Sequence, residues 1–280
     1  MKRKIKKFKR DFKKIATKPE MQILPGQLAY FLVLSIIPTL TLFSIGAAMF
    51  NLSSDMIYDF FATAFNQEIA GLILSSNATF TNHFSIFVIV VIGYVIAANG
   101  AASIIITSNT IYGIKNRFSI RRYIKSFLMI LILIFLLLFM LIGSMFGDSI
   151  ILLFTKANTS KSVVDCITML INIFSGPVMF FVLFLFIKLI YTIAPDKKIN
   201  PKYTNMGSLF TAVAWIVITT VYSFYVNEIA NYSALYGNLA NLVILMLWFY
   251  FLSYAFTIGL ALNYHKEEEE TFHDLVLNYK

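Results

Sequence analysis

Six long apolar stretches alternate with shorter polar segments along the chain. Each stretch holds about 20 or more predominantly apolar residues, enough for a helix to cross the hydrocarbon core of a bilayer. Because backbone polar groups in lipid must bond to one another, each stretch is predicted to be helical. The pattern predicts an all-α integral membrane bundle, and its six transmembrane helices cover residues 28–50, 84–108, 126–146, 163–193, 204–226 and 239–262.

The composition agrees with a membrane protein. Of the 280 residues, 59% are hydrophobic and 13% are charged, whereas about a quarter of the residues in a soluble domain are charged. The single cysteine, Cys166, lies inside a predicted span, so we expect it to pack as a small apolar residue.

Positive charge predicts the orientation of the spans. The chain has 23 Lys and Arg, and all except Lys156 and Lys161 lie in or beside segments on one side of the predicted bundle. Because positively charged segments stay in the cytoplasm, both termini are predicted to be cytoplasmic. Attraction to anionic lipids then accounts for the net charge of +9, and we expect no nucleic-acid partner.

The predicted spans divide the chain into three regions. Residues 1–20 form a basic arm, residues 21–264 the transmembrane domain and residues 265–280 an acidic cytoplasmic tail. In the arm, apolar residues recur at spacings of four and three, which is typical of an amphipathic helix lying on the inner leaflet. The basic residues expected to set the topology and contact the lipid surface include Lys6, Lys7, Arg10, Lys13 and Lys14.

Residues 55–74 are rich in aromatic and aliphatic side chains but too polar to span a bilayer. Two arrangements fit this segment. It can lie as an interfacial helix on the outer leaflet, which we favour, or enter the membrane as a re-entrant hairpin.

No pattern of a catalytic, cofactor-binding or metal site occurs in the sequence. Of the three histidines, His83 is predicted to lie on the opposite side of the membrane from His265 and His273, and no His-x-x-x-His, Cys-x-x-Cys, Gly-x-Ser-x-Gly or phosphate-loop pattern is present. No carboxylate lies in the middle of a predicted span. The sequence therefore favours a protein that is not an enzyme and has no cofactor.

Two prolines interrupt predicted spans and suggest a transport path. Pro38 lies in the first span and Pro177, after Gly176, in the fourth, so each three-helix half begins with a broken helix. Paired interruptions of this kind mark the central site of many transporters. The candidate path residues are Ser35, Pro38, Asn99, Asn109, Tyr236 and Asn263. The alternative is that the polar residues among them join helices to each other.

Several segments resemble one family. They are QLAYFLVLSIIP at 27–38, NTIYG at 109–113, SALYGNLA at 233–240 and GLALN at 259–263, together with Pro195, Gly207, Trp215, Tyr225 and Trp248. In order and spacing they resemble the YihY/BrkB family of multi-pass inner-membrane proteins, formerly labelled ribonuclease BN. The resemblance implies a six-helix plasma-membrane protein and suggests the movement of lipids or lipid precursors.

These observations favour transport or translocation of a lipid or another amphiphile, with membrane lipids as partners. Two other functions stay open. The first is a non-enzymatic membrane scaffold or envelope-integrity factor, which would use the basic arm and the acidic tail as docking surfaces. The second, disfavoured because no catalytic pattern is present, is a membrane-associated hydrolase or nuclease.

Overall fold

The computed structural model describes residues 19–49, 55, 58–59, 83–115, 120–156, 161–228, 236–237 and 240–278. Within these ranges no residue is in a β-strand, and the long elements are six helices. They are α1 (Glu20–Met49), α2 (His83–Ile111), α3 (Ile120–Lys156), α4 (Lys161–Ile193), α5 (Asn205–Glu228) and α6 (Ala240–Asn278). The predicted all-α architecture is confirmed for the described part of the chain.

Four stretches of helix among the described residues are long and apolar enough to cross a membrane. They are Val90–Ile111, Lys161–Ile193, Asn205–Val226 and Leu242–Glu267. A fifth is added if the two parts of α1, Glu20–Ile36 and Pro38–Ala47, form one broken span. The remaining predicted span, which covers residues 126–146 within α3, stays a prediction. The cytoplasmic position of both termini also stays a prediction.

The two proline sites differ. α1 bends by 43° between Glu20–Ile36 and Pro38–Ala47. α4, in contrast, continues as one helix through Gly176 and Pro177. A proline removes one backbone hydrogen bond, but neighbouring groups in a membrane helix can compensate for it. The predicted interruption at Gly176 and Pro177 therefore does not end a helix.

α3 and α6 extend well beyond the apolar stretches that predicted them. α3 has 37 residues and α6 has 39. Residues 265–278, predicted as part of a separate acidic tail, continue α6 as helix. Lys and Glu are good helix formers, so the helix does not end where the apolar stretch ends.

Two predicted segments lie mainly outside the described residues. The basic arm is one of them, with Lys6, Lys7, Arg10, Lys13 and Lys14. The other is the segment of residues 55–74, of which only residues 55, 58 and 59 are described.

The helices form two compact units. The first contains residues up to Ser35, Asn99–Ser126 and all residues from Phe184 onward, and so includes α5 and α6 entirely. Part of its core is a cluster of Met21, Ile258, Ala261 and Leu262, packed against Ile111, Phe210 and Tyr254. This cluster holds the first turn of α1 against α6.

The second unit contains Ile36–Ala98 and Phe127–Leu183. Its apolar interior residues include Phe43, Ala47 and Ala97, which are completely buried. Its large apolar side chains also lie on the outside, where Phe135 is 69% exposed. Such outward apolar surface is expected of helices that face lipid.

Candidate functional site

The end of α2 fixes Asn109 in the first unit. Gly113 has a φ of 66°. The N–H group of Gly113 donates to the carbonyl of Thr110 at 3.2 Å, and that of Ile114 donates to the carbonyl of Asn109 at 2.8 Å. This is the Schellman closure, which needs a left-handed residue that glycine adopts without strain. The buried side chain of Asn109 then binds Asp196 twice. Its Nδ2 donates to Oδ2 of Asp196 at 2.7 Å, and its Oδ1 accepts from the backbone N–H of Asp196 at 2.8 Å.

Lys125 of α3 binds the same connection between α4 and α5. Its Nζ lies 2.9 Å from the carbonyl oxygen of Ala194, 2.7 Å from that of Pro195 and 2.8 Å from Oδ1 of Asp196. These oxygens directly follow the end of α4, where the helix dipole favours a cation. Three oxygen atoms therefore surround the Lys125 charge.

Asp196 is held as a carboxylate. Burial by itself raises the pKa of its carboxyl group. Hydrogen bonds from Lys125 and Asn109 and the charges of Lys125 and Arg122 outweigh that effect, so the pKa lies below its ordinary value. Both carboxylate oxygens of Asp196 thus have partners within the first unit.

Two glycines bring α5 and α6 into close contact. A Cβ atom at Gly207 would clash with the carbonyl of Gly259 and lie 2.6 Å from Cγ of Asn263. The close approach lets Oδ1 of Asn263 accept a hydrogen bond from the N–H of Gly207 at 2.7 Å. This N–H is in the first turn of α5, where donors have no acceptor within their own helix. Asn263 therefore caps α5 from the neighbouring helix.

Further polar side chains of this α5–α6 seam bind backbone carbonyls. The buried Tyr191 donates to the carbonyl of Phe256 at 2.7 Å and lies 2.7 Å from Oγ1 of Thr211. Nε1 of Trp215 donates to the carbonyl of Leu252 at 2.9 Å. The two bonds to carbonyls tie α6 to α4 and to α5, and the contact between Tyr191 and Thr211 joins α4 to α5, so this set of polar residues joins helices.

A pocket of about 160 Å³ lies between α1, α2 and α3 in the first unit. Its lining consists of Phe31 from α1, Asn99, Ala102, Ser103 and Ile106 from α2, and Arg122 and Tyr123 from α3. Asn99 is exposed, Arg122 is partly buried, and the buried Ser103 donates to the carbonyl of Gly100 at 2.6 Å. The pocket thus combines polar groups, one cation and apolar surface.

Clusters that could hold a metal ion are absent from the part of the chain that the structure describes, where no three His, Cys, Asp or Glu residues come together suitably.

The pocket between α1, α2 and α3 offers hydrogen-bond donors and a positive charge. Such groups bind and orient a polar or anionic group.

The sequence comparisons place the chain in a family. The sequence model of the family described as virulence factor BrkB matches residues 16–275. The chain belongs to the BrkB family. The resemblance found in the sequence is thereby confirmed.

Two similar proteins match most of this BrkB chain. YfkH of Bacillus subtilis strain 168, which is named as ribonuclease-like, is 27% identical over 249 residues, covering 87% of this chain and 89% of YfkH. A UPF0761 membrane protein of Pseudoalteromonas atlantica is 26% identical over 264 residues, covering 88% and 83% of the two chains. No solved structure matches significantly. The family and the apolar helices make the chain a multi-pass membrane protein.

Three predicted path residues of this BrkB protein lie inside packed helix contacts. Asn109 and Asn263 are completely buried and bind Asp196 and Gly207 as described above. Ser35 is also buried, and its hydroxyl donates to a carbonyl one turn earlier in α1 at 2.9 Å. The structure therefore gives all three a hydrogen-bonded position between or within helices.

The other three predicted path residues have different surroundings. Asn99 lines the pocket of the first unit. Pro38 lines a separate apolar pocket of about 230 Å³ in the second unit, next to Gly93. Tyr236 is exposed. Of the six residues, the described pockets thus include only Asn99 and Pro38, and they do not share one pocket.

Sequence reasoning missed Arg122, Lys125 and Asp196. It counted the two cations only as determinants of topology. Asp196 is the one acidic residue in the basic connection between α4 and α5, which includes Lys197, Lys198 and Lys202. A lone acid among cations in such a connection was the available signal of an ion pair.

Proposed function

We propose that this BrkB-family protein translocates a lipid or another amphiphile across the plasma membrane and is not an enzyme. The observation that carries the proposal is the pocket in which Asn99 and Arg122 border the same space as Phe31. An amphiphile has the same two kinds of surface, a polar head and an apolar body. Membrane lipids are then both its surroundings and its cargo.

The position of Arg122 supports this proposal. Arg122 lies in the first turn of α3, just before the predicted span of residues 126–146, where a basic side chain attracts anionic lipid head groups. Asn99 lies 12 residues before the end of α2 at Ile111, which corresponds to about 18 Å along the helix axis. The pocket that Asn99 shares with Arg122 therefore extends well away from the end of α2. It reaches toward the hydrocarbon core of the membrane, which a lipid head group must cross.

The test is lipid translocation by the purified protein in proteoliposomes. Head-group-labelled lipids are incorporated and an impermeant quencher is added outside. We expect quenching beyond the outer-leaflet half, and we expect Asn99→Leu to reduce its rate. Thr220→Leu, at an exposed position of α5, is the matched control. Quenching that stops at the outer-leaflet level with every lipid class would contradict the proposal, and RNA cleavage by the purified protein would contradict its non-enzymatic part.

The proposal also places both termini in the cytoplasm, because nearly all positive charge lies on one side of the predicted bundle. The lone Cys166 makes this testable. In a Cys166→Ser background, Ser162→Cys at the start of α4 should react with an impermeant maleimide added to intact cells. Asn200→Cys, beyond the other end of α4, should react only after the cells are opened. The reverse pattern would overturn the orientation.

A further inference from the structure

We infer that the apolar pocket at the bend of α1 is a binding site for part of the acyl chain of a membrane lipid. The pocket lies in the second unit and has a volume of about 230 Å³. Residues of α1 from Pro38 to Ile45 and residues of α2 from Val90 to Ile96 line it. The inference concerns binding alone and goes beyond the proposed function, because it holds whether or not the protein translocates lipid.

The pocket lies where α1 bends and where α2 lacks a side chain. α1 changes direction by 43° between Glu20–Ile36 and Pro38–Ala47, and Pro38 lines the pocket. On α2, Gly93 lines the same pocket, and a Cβ atom there would lie 3.9 Å from Cβ of Pro38. That distance is an ordinary van der Waals contact, so there is room at Gly93 for a side chain that glycine does not supply.

The lining of the pocket suits hydrocarbon rather than water. Among its described lining residues Thr41 has the one polar side chain, and Thr41 already has an interaction within the protein. A buried water molecule needs about two to four polar partners, which this lining does not offer. An empty pocket is also unfavourable, because the atoms that line it lose van der Waals partners. An apolar group is therefore the occupant that the lining favours.

The surroundings of the pocket identify this apolar group. Val90–Ile111 of α2 is long and apolar enough to span a membrane, and the two parts of α1 add a further span when they are taken together. Two lining residues of α2, Ile92 and Ile96, are exposed, so the pocket opens at the outer surface of these helices. In a bilayer that surface faces lipid. Acyl chains are therefore the apolar groups that can enter the pocket without crossing water.

The volume of the pocket fits part of a chain. An apolar cavity of about 150 Å³ is large enough to bind benzene, so a pocket of about 230 Å³ has room for several methylene groups. Sites that enclose a complete small ligand have larger volumes of roughly 300–1,000 Å³. The head group and the rest of the lipid therefore stay outside the pocket. Because the described lining has no charged residue, binding should not depend on the charge of the head group.

Photolabelling of the purified protein in proteoliposomes tests the inference. The probe is phosphatidylcholine with a photoactivatable diazirine in the middle of one acyl chain, and mass spectrometry maps the labelled residues. Val217 and Val221 of α5 are exposed and serve as the reference for ordinary contact with lipid. We expect the yield at the pocket to be about fivefold higher, since many weak carbon contacts act together on an enclosed chain. Phosphatidylglycerol with the same labelled chain should give the same yield.

Gly93→Leu should lower the yield at the pocket to that of the reference residues, because the leucine side chain takes up the space. Leucine is a better helix former than glycine, and its Cβ meets only an ordinary contact, so the melting temperature should not fall. Val91→Phe is the matched control. It adds the same number of carbon atoms at an exposed residue of α2 that does not line the pocket, and it should leave the yield unchanged.

A yield at the pocket no higher than at Val217 and Val221 would overturn the inference. Equal effects of Gly93→Leu and Val91→Phe, or a yield that follows the charge of the head group, would do the same. If Gly93→Leu does not fold, the label map of the unchanged protein and the comparison of the two lipids still decide. Absence of lipid translocation in the same proteoliposomes would contradict the proposed function and leave this test unaffected.

Discussion

The α5–α6 seam and the pocket between α1, α2 and α3 both place an asparagine inside apolar helices, but with opposite surroundings. At the seam, Gly207 and Gly259 let the backbones approach, and Asn263 is completely buried with its oxygen bonded to a backbone N–H. At the pocket, Asn99 is exposed to open space. A polar residue in a span therefore joins helices where its side chain is enclosed between them and can serve a ligand where its side chain faces open space.

The largest effect on stability is expected when the α5–α6 seam is forced apart. Gly207→Ala and Gly259→Ala each place a methyl group against backbone of the opposite helix, the second at 2.9 Å from the carbonyl of Gly207. Backbone cannot move aside as a flexible side chain can, so we expect each change to destabilise the protein by about 3 kcal/mol or more. Thermal unfolding in detergent measures the effect.

Gly26→Ala is the matched control, because outside its own stretch of helix the nearest atom to a Cβ at this glycine of α1 is Cε2 of Tyr250 at 4.0 Å, an ordinary van der Waals contact. Alanine is also the better helix former, so the melting temperature should stay the same or rise slightly. Equal destabilisation at Gly26 and Gly207 would show that the seam is not specially close.

The next largest effect is expected at Asn263. Leucine has nearly the same shape as asparagine but cannot accept the hydrogen bond from Gly207. Asn263→Leu therefore leaves a buried N–H in the first turn of α5 without its acceptor, at a cost of about 1–3 kcal/mol. Unfolding of the variant under the same conditions as the glycine variants measures it, and an unchanged melting temperature would contradict the capping role.

Asp196 should make a smaller contribution, visible in the pH dependence of stability. Its folded-state pKa is lowered, whereas an unfolded Asp titrates near about 3.9. Its stabilising contribution is therefore complete above that value and is lost as the pH falls through the lower, folded-state pKa. Asp196→Asn should flatten this acid limb, and Lys125→Met should shrink it, because the folded-state pKa of Asp196 then rises toward the unfolded value. Melting temperatures measured across the acid range test both, and a limb unchanged in both variants would contradict the pairing.

The sequence was sufficient for the helices but not for the pairing of their polar residues. Apolar stretches of membrane length dictate helix because lipid offers no backbone partners, so the existence of α1 to α6 follows from the pattern, whereas the extensions of α3 and α6 do not. Asn99, Asn109 and Asn263 look alike in sequence, and only the tertiary contacts separate them. Arg122 looked like a topology charge for the same reason, because charge counts ignore which helix face a cation occupies.

The smallest expected change in stability belongs to Asn99, and it completes the contrast with Asn263. Asn99→Leu exchanges an exposed amide for an apolar side chain with no buried partner to lose, so the free energy of unfolding should change by no more than about 0.5 kcal/mol. The same variant should slow lipid translocation in proteoliposomes, because one donor of the pocket is gone. If Asn99→Leu instead destabilises the protein as much as Asn263→Leu and leaves translocation intact, then Asn99 also joins helices, and the division between seam and pocket fails.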